Sequence, residues 1–156
     1  MKQIERAWLC LPALVLYCCD VSITLASQRP AFWAGTYDTV EEGNPVARGL
    51  LLLGPWTFVA AALAWAVLFS AVILVGRRSW AVLLSFGVTF PHALGTAYWL
   101  PRHGLDGIAA ALLVLVAAER LLTWSWGRSD IELAKNGMQE LVRKHEQPVV
   151  CCSKKS

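Results

Sequence analysis

The sequence of 156 residues contains little charge for its length, and its charged residues are unevenly spread. Only 16% of the residues are charged, against about 25% in an average soluble domain. Long apolar stretches separate short charged clusters, which is typical of a chain that crosses lipid, because runs of about 20 uncharged residues span the hydrocarbon. No basic stripe with interleaved aromatic residues is present, so nucleic acid is not an expected partner.

The sequence also lacks the motifs of the common catalytic and nucleotide-binding sites. It has no G-x-S-x-G hydrolase elbow, no H-E-x-x-H zinc motif, no Walker loop and no G-x-G-x-x-G fingerprint. Its five cysteines include two adjacent pairs, which is not the usual spacing of zinc ligands. These absences favour free thiols and a non-enzymatic protein, and they do not exclude an enzyme.

Four apolar segments predict an all-α membrane domain over residues 1–127. We expect transmembrane helices over 7–26, 56–75, 80–100 and 105–126. Residues 45–53 are expected to form a separate short interfacial or re-entrant helix. One helix from 45 to 75 would be about 46 Å long, which is too long for the hydrocarbon. A cleaved signal peptide is the alternative for the first segment, and we favour an uncleaved helix because the apolar stretch is long.

Lysine and arginine placement predicts that both termini lie in the cytoplasm. Ten of these residues fall in the segments that this orientation places inside, and three fall outside. Residues 128–156 are then a cytoplasmic tail, where Ser129 and Glu132 match a capping box and predict a separate amphipathic helix. The expected protein is a multi-pass protein of the cell membrane. Its expected partners are lipids and either itself or another membrane protein.

Two ionisable residues lie at similar depths inside the predicted spans. Asp20 is about 20 Å and His92 about 18 Å from the inner ends of their helices. Thr24 lies one turn beyond Asp20, and Glu42 and Asn44 approach from the same outer side. Ionisable groups within a span usually face other protein groups or water. We therefore expect Asp20, Glu42, Asn44 and His92 to surround one outward-facing pocket.

The sequence leaves three functions open for this pocket. In the leading hypothesis, Asp20 and His92 only join two helices of a non-enzymatic small subunit or interaction protein. Alternatively, Asp20, Glu42 and His92 bind a divalent metal ion, or bind or transport protons or other ions. A bound metal could also activate water in an intramembrane hydrolase. Helix capping alone would also explain Glu42 and Asn44, because both lie within three residues before Pro45.

Asp20-x3-Thr24 in the first span and Glu42-x-Asn44-Pro45 before the next apolar run form a recognisable pattern. Over about residues 7–126 the chain resembles a family of small prokaryotic membrane proteins described as a domain of unknown function. In that family D-x3-T, a short loop and E-x-N-P precede three hydrophobic segments. The resemblance implies the four-span topology and a bacterial inner membrane, and it singles out these five positions. It implies no reaction.

Overall fold

A computed structural model describes residues 3–146 of the chain, and no strand occurs within that range. The predicted all-α fold is therefore confirmed over 3–146. The helices are α1 (Gln3–Ala26), α2 (Pro30–Trp33), α3 (Pro45–Leu52), α4 (Pro55–Val75), α5 (Arg78–Trp99) and α6 (Gly104–Glu146). Two 3-10 turns, Tyr37–Thr39 and Leu100–His103, complete the connections.

The four long helices form an antiparallel bundle in which α1 contacts α4, α5 and α6. At one end Arg6 Nη1 donates a hydrogen bond to the Leu74 carbonyl at 2.8 Å, which joins the start of α1 to the end of α4. An ion pair between Arg78 and Asp130 joins the start of α5 to α6 at the same end. We call this the arginine-rich end. The opposite end, which carries residues 27–44, is called the loop end.

The apolar core lies toward the arginine-rich end. Leu9, Ala13, Phe69, Ile73 and Ala81 are all 1% exposed or less. Alanine at two of these positions, on α1 and α5, lets the two helix backbones come close. That approach is what places a serine of α5 within reach of an α1 backbone carbonyl, as described below.

Two helices of the described chain are long and apolar enough to cross a membrane, by length and composition. They are α1 over Arg6–Ala26 and α4 over Pro55–Val75. Of the other two predicted spans, 80–100 matches α5 to within two residues at each end, and 105–126 lies within the longer helix α6. Membrane crossing by all four helices stays a prediction.

The break predicted between α3 and α4 is present. Asn44 caps α3, because its Oδ1 accepts hydrogen bonds from the backbone N–H groups of Val46 and Ala47 at 3.0 and 3.4 Å. Gly54 separates the two helices with a φ of +110°, a conformation that a side chain would disfavour. Pro55 then begins α4.

The separate helix predicted from Ser129 is wrong, because α6 continues unbroken through that residue to Glu146. Ser129 is 1% exposed inside the helix and does not cap it. Glycine inside a helix costs about 1 kcal/mol, but Gly127 is held by tertiary contacts on both sides. Ser125 Oγ donates to the Trp8 carbonyl, and Asp130 pairs with Arg78. The boundary between 1–127 and 128–156 thus falls inside a helix, and residues 147–156 lie outside the described range.

Candidate functional site

Asp20 and His92 meet between α1 and α5, as their similar predicted depths suggest. His92 Nδ1 lies 2.7 Å from Asp20 Oδ2, a hydrogen-bond distance. The two side chains are 24% and 19% exposed, so neither is sealed between the helices. A protonated imidazole makes this contact an ion pair, and a neutral imidazole can donate its Nδ1–H to the carboxylate.

Gly95 makes room for the Asp20 carboxylate. A Cβ atom added at Gly95 would lie 2.5 Å from Asp20 Oδ1 and 2.9 Å from its Cγ, closer than side-chain atoms come in proteins. Glycine one turn beyond His92 therefore gives the carboxylate its position against α5. The next residue, Thr96, donates its hydroxyl to the His92 carbonyl at 2.9 Å, within the same helix. Gly95 and Thr96 thus both shape the α5 side of the site.

Tyr17 belongs to the same cluster, although sequence reasoning did not identify it. Its ring packs edge-on against the His92 ring, with centroids 4.7 Å apart and planes at 89°. Its hydroxyl donates to the Ala62 carbonyl at 2.9 Å, which ties α1 to α4. Tyr17 lies three residues before Asp20, on the same helix face, and this spacing was the available signal.

A cavity of about 1050 Å³ opens beside this pair, between α1, α3, α4 and α5. Asp20, Glu42, Asn44 and His92 all line it, so the sequence-predicted pocket is assembled. Thr24 also lines it and is otherwise buried, at 4% exposure. Most of the remaining wall is apolar or aromatic. The aromatic residues of the wall are Tyr17, Phe58, Trp65, Tyr98 and Trp99.

The acidic and amide side chains from the loop end are engaged in capping. Glu42 Oε1 accepts a hydrogen bond from the Asn44 backbone N–H at 2.7 Å, and Asn44 caps α3. Pro45 occupies the first position of α3 and does not line the cavity. Among the described residues, no three His, Cys, Asp or Glu side chains are grouped so that they could hold a metal ion. The structure therefore brings Asp20 and His92 together but does not add Glu42 as a third ligand.

Gln28 fixes the loop over this region, and sequence reasoning missed it as well. Its side chain is 5% exposed, and its Nε2 donates to the carbonyls of Thr24 and Glu41 at 2.8 and 3.0 Å. Its Oε1 accepts from the Glu41 N–H at 3.1 Å. Gln28 thus joins the end of α1 to the far end of the loop. Its spacing, one turn after Thr24, was the only signal in the sequence.

Glu41 forms two ion pairs at the loop end, which we call the ionic clasp. Its carboxylate pairs with Arg29 and, at 3.0 Å, with Arg102 of the α5–α6 turn. The hydrogen bond from Arg29 is the main reason that the pKa of Glu41 lies below its ordinary value of 4.5. Arg102 also stacks over the Trp99 ring at 4.2 Å. The contact with Arg102 connects the loop to the turn that follows α5.

Comparison with protein-family models, curated proteins and solved structures finds no match to this chain. The resemblance drawn from Asp20, Thr24, Glu42, Asn44 and Pro45 stays a prediction. The cavity and its lining residues are therefore the features of the molecule that bear on function.

Proposed function

We propose that the chain is a four-span integral membrane protein of the bacterial inner membrane, with both termini in the cytoplasm. Large apolar side chains that face outward on α4, α5 and α6 support this proposal, because a lipid environment would cover them. They include Leu63, Val67, Leu68, Leu83, Phe86, Phe90, Leu112, Leu113 and Val116. The same surfaces can accept a second copy of the chain or another membrane protein.

The distribution of arginine supports the proposed orientation. Arg6, Arg78 and Arg128 lie together at the arginine-rich end, where Arg128 contacts the rings of Trp8 and Trp124. Basic residues favour the cytoplasmic side, and tryptophan favours the membrane interface. The loop end, with the cavity, then faces outward.

The function that the site supports best is non-enzymatic binding of a small ligand from the outer side. The observation that carries this proposal is that Asp20 and His92 form part of the wall of a cavity of about 1050 Å³. A pair that served only to join two helices would not need such a space beside it. Ligand pockets are mostly apolar, with a few polar groups that orient the ligand, and this cavity has that composition.

A second candidate is proton or cation transport through the same pocket. It is favoured by the contact between a carboxylate and an imidazole at the cavity wall, because chains of such groups form the proton relays of membrane pumps and transporters. A divalent-metal site or a metal-dependent hydrolase would need Glu42 to leave its capping contact and approach Asp20 and His92. Neither is favoured by the present geometry.

Thiol labelling from outside the cell tests the outward-facing pocket. In a cysteine-free background, Ala61→Cys places a thiol in the cavity wall, and Leu63→Cys places one on the outward apolar face of the same helix. A membrane-impermeant methanethiosulfonate should label the first in intact cells, because thiolates form in water. It should not label the second. Thr36→Cys in the exposed loop provides the positive control.

Labelling of Ala61→Cys only after the cells are opened would place the cavity on the cytoplasmic side and overturn the proposed orientation. Failure to label it under either condition, with Thr36→Cys labelled, would mean that water does not reach the cavity, and the binding function would then fail.

A further inference from the structure

The cavity has an acidic lining without a compensating cation. Asp20 and Glu42 line it, and none of its lining residues is lysine or arginine. Even with His92 protonated, two carboxylates face one imidazolium. Arg102 contacts Trp99, but its guanidinium is paired with Glu41 and does not line the cavity. The lining therefore favours a positively charged ligand over an anionic one.

The Asp20 carboxylate retains an acceptor for such a ligand. Its Oδ2 is occupied by His92, and Oδ1 has no hydrogen-bond partner among the described side chains. Oδ1 lies against Gly95, which has no side chain to cover it. An ammonium group in the cavity could donate to this oxygen, and hydrogen bonds between charged groups are the stronger class.

The aromatic residues of the wall fit the same kind of ligand. Trp65 and Tyr98 line the cavity and are 45% and 64% exposed, so part of each ring is uncovered. Trp65 packs against Phe69, and the Arg102 guanidinium lies 6.0 Å from the Tyr98 ring centroid. The faces of such rings attract ammonium groups and also pack against apolar bodies. Phe58, Leu50 and Val21 extend the apolar wall. The combination of partly uncovered aromatic rings and a free carboxylate oxygen suits a molecule with a charged head and an apolar body.

Resting on the proposed binding function, we infer that the cavity binds an organic ammonium compound with an apolar or aromatic body. The ammonium group lies near Asp20 and Glu42, and the body lies along Trp65, Phe58 and Leu50. A volume of about 1050 Å³ accommodates either a free lipophilic amine or the ammonium headgroup of a lipid. Both sources share the chemistry that the wall recognises.

Binding of three compounds of nearly equal size tests this inference. Phenylbutylamine, phenylbutanol and phenylbutanoate differ mainly in the charge of the head group. Titration calorimetry uses the full chain in lipid nanodiscs, with empty nanodiscs subtracted. The amine should bind about tenfold more tightly than the alcohol, because one good ionic hydrogen bond is worth about that factor. The alcohol should in turn bind more tightly than the carboxylate.

Single substitutions locate the bound compound. Asp20→Asn should weaken amine binding about tenfold and leave alcohol binding nearly unchanged. Trp65→Leu should weaken binding of the amine and of the alcohol alike, by about threefold, because the body that both compounds share loses an aromatic packing partner. Glu119→Gln is the matched control, because this exposed acidic residue lies on α6 outside the cavity. If Asp20→Asn does not fold, Glu42→Gln removes the other negative charge of the lining. Its side-chain amide oxygen can still accept the hydrogen bond from the Asn44 N–H.

Lipid composition separates the two sources of the ammonium group. Nanodiscs of phosphatidylglycerol contain no ammonium headgroup, whereas those of phosphatidylethanolamine do. A lipid headgroup as the occupant predicts weaker amine binding in phosphatidylethanolamine. A free amine predicts the same Asp20-dependent difference in both lipids.

Three results would overturn the inference. They are equal binding of the amine and the alcohol, unchanged amine binding in the carboxylate variants, and no binding of the amine. Each can occur while Ala61→Cys is still labelled from outside, and the pocket would then remain a candidate for another ligand. Loss of that labelling would instead remove the proposed function itself.

Discussion

Helices α1 and α5 contact each other along both halves of their length, but in two different ways. Toward the arginine-rich end, Ala13 and Ala81 are fully buried, and Ser85 Oγ donates to the Leu9 carbonyl at 2.7 Å. Toward the loop end, the helices meet through the partly exposed Asp20–His92 pair, with the cavity beside it. The comparison teaches that one helix pair can provide close apolar packing at one end and an accessible polar site at the other.

The loop explains why the packing opens at that end. Phe32, Val40, Leu51 and Phe58 form a second apolar cluster, which fixes α3 against the loop and α4. Within the described residues α3 makes no contact with α5. A space therefore remains between α3 and α5, and the cavity occupies it. The second apolar cluster thus sets the distance between α3 and α5. The apolar core toward the arginine-rich end holds the bundle together.

The largest effect in this comparison is expected from truncating one side chain of the main core. Phe69 is 1% exposed and packs edge-on against Tyr17, so Phe69→Ala should lower the free energy of unfolding by about 3 kcal/mol or more. Trp65 lies one turn earlier on α4 but lines the cavity at 45% exposure. Trp65→Ala should cost about 1 kcal/mol or less, because it leaves no sealed void. Chemical unfolding in detergent micelles measures both, and equal costs would contradict the difference between the two regions.

A smaller effect is expected from two matched glycines inside α5. At Gly87 an added Cβ meets nothing within 4 Å, whereas at Gly95 it meets the Asp20 carboxylate. Gly87→Ala should stabilise the helix by about 0.5–1 kcal/mol. Gly95→Ala should not show this gain, because the added methyl group displaces the Asp20 carboxylate from His92. Loss of that interhelical hydrogen bond should cost about 0.6 kcal/mol, the average for such bonds in membranes.

The unfolding midpoints of the two variants, together with the His92 imidazole NMR signals, measure this effect. The signals should move in Gly95→Ala and stay in place in Gly87→Ala. The same change in both variants would mean that Gly95 does not position Asp20.

Some features near the cavity could be predicted from the sequence, and others could not. The Asp20–His92 contact could be predicted because ionisable residues are rare inside apolar segments, and two at similar depths have few other partners. The start of α3 followed from Asn44 and Pro45, whose chemistry is local. Helix spacing alone could not assign roles to Tyr17 and Gln28. Their hydrogen-bond partners include the backbone carbonyls of Ala62 and Glu41, which only the fold brings near.

The course of α6 is the clearest failure of the local patterns. Ser129 and Glu132 match a capping box, but the Arg78–Asp130 pair and the Ser125 contact to α1 keep the helix continuous. Such tertiary contacts override local propensity, and they cannot be recognised before the helices are placed next to one another. Local chemistry thus predicted most helices and the partly exposed contact between Asp20 and His92. Long-range contacts decided how the cavity was enclosed.

The smallest effect is expected at the ionic clasp of the loop end. The Arg29 hydrogen bond, with help from Arg102, holds the pKa of Glu41 below its ordinary value of 4.5 in the folded protein. Between the folded and unfolded pKa values the unfolded chain binds more protons, so stability rises with pH there. The contribution of Glu41 is fully present above about 4.5 and is lost as the pH falls through the folded pKa. Because solvent reaches these side chains, salt should weaken the contribution further.

Replacing the Glu41 carboxylate removes its charge but keeps the hydrogen bonds between Gln28 and the Glu41 backbone. Glu41→Gln should flatten the fall of the unfolding midpoint as the pH drops below about 4.5, because the variant lacks the proton-binding group. Asp38→Asn, on the same loop and without an ion pair among the described residues, should leave that fall in place. The Gln28 hydrogen bonds reach only the backbone of Glu41, so they survive in both variants. A loss of stability in Glu41→Gln that is the same at every pH would mean that loop packing, and not the clasp, is what the side chain provides.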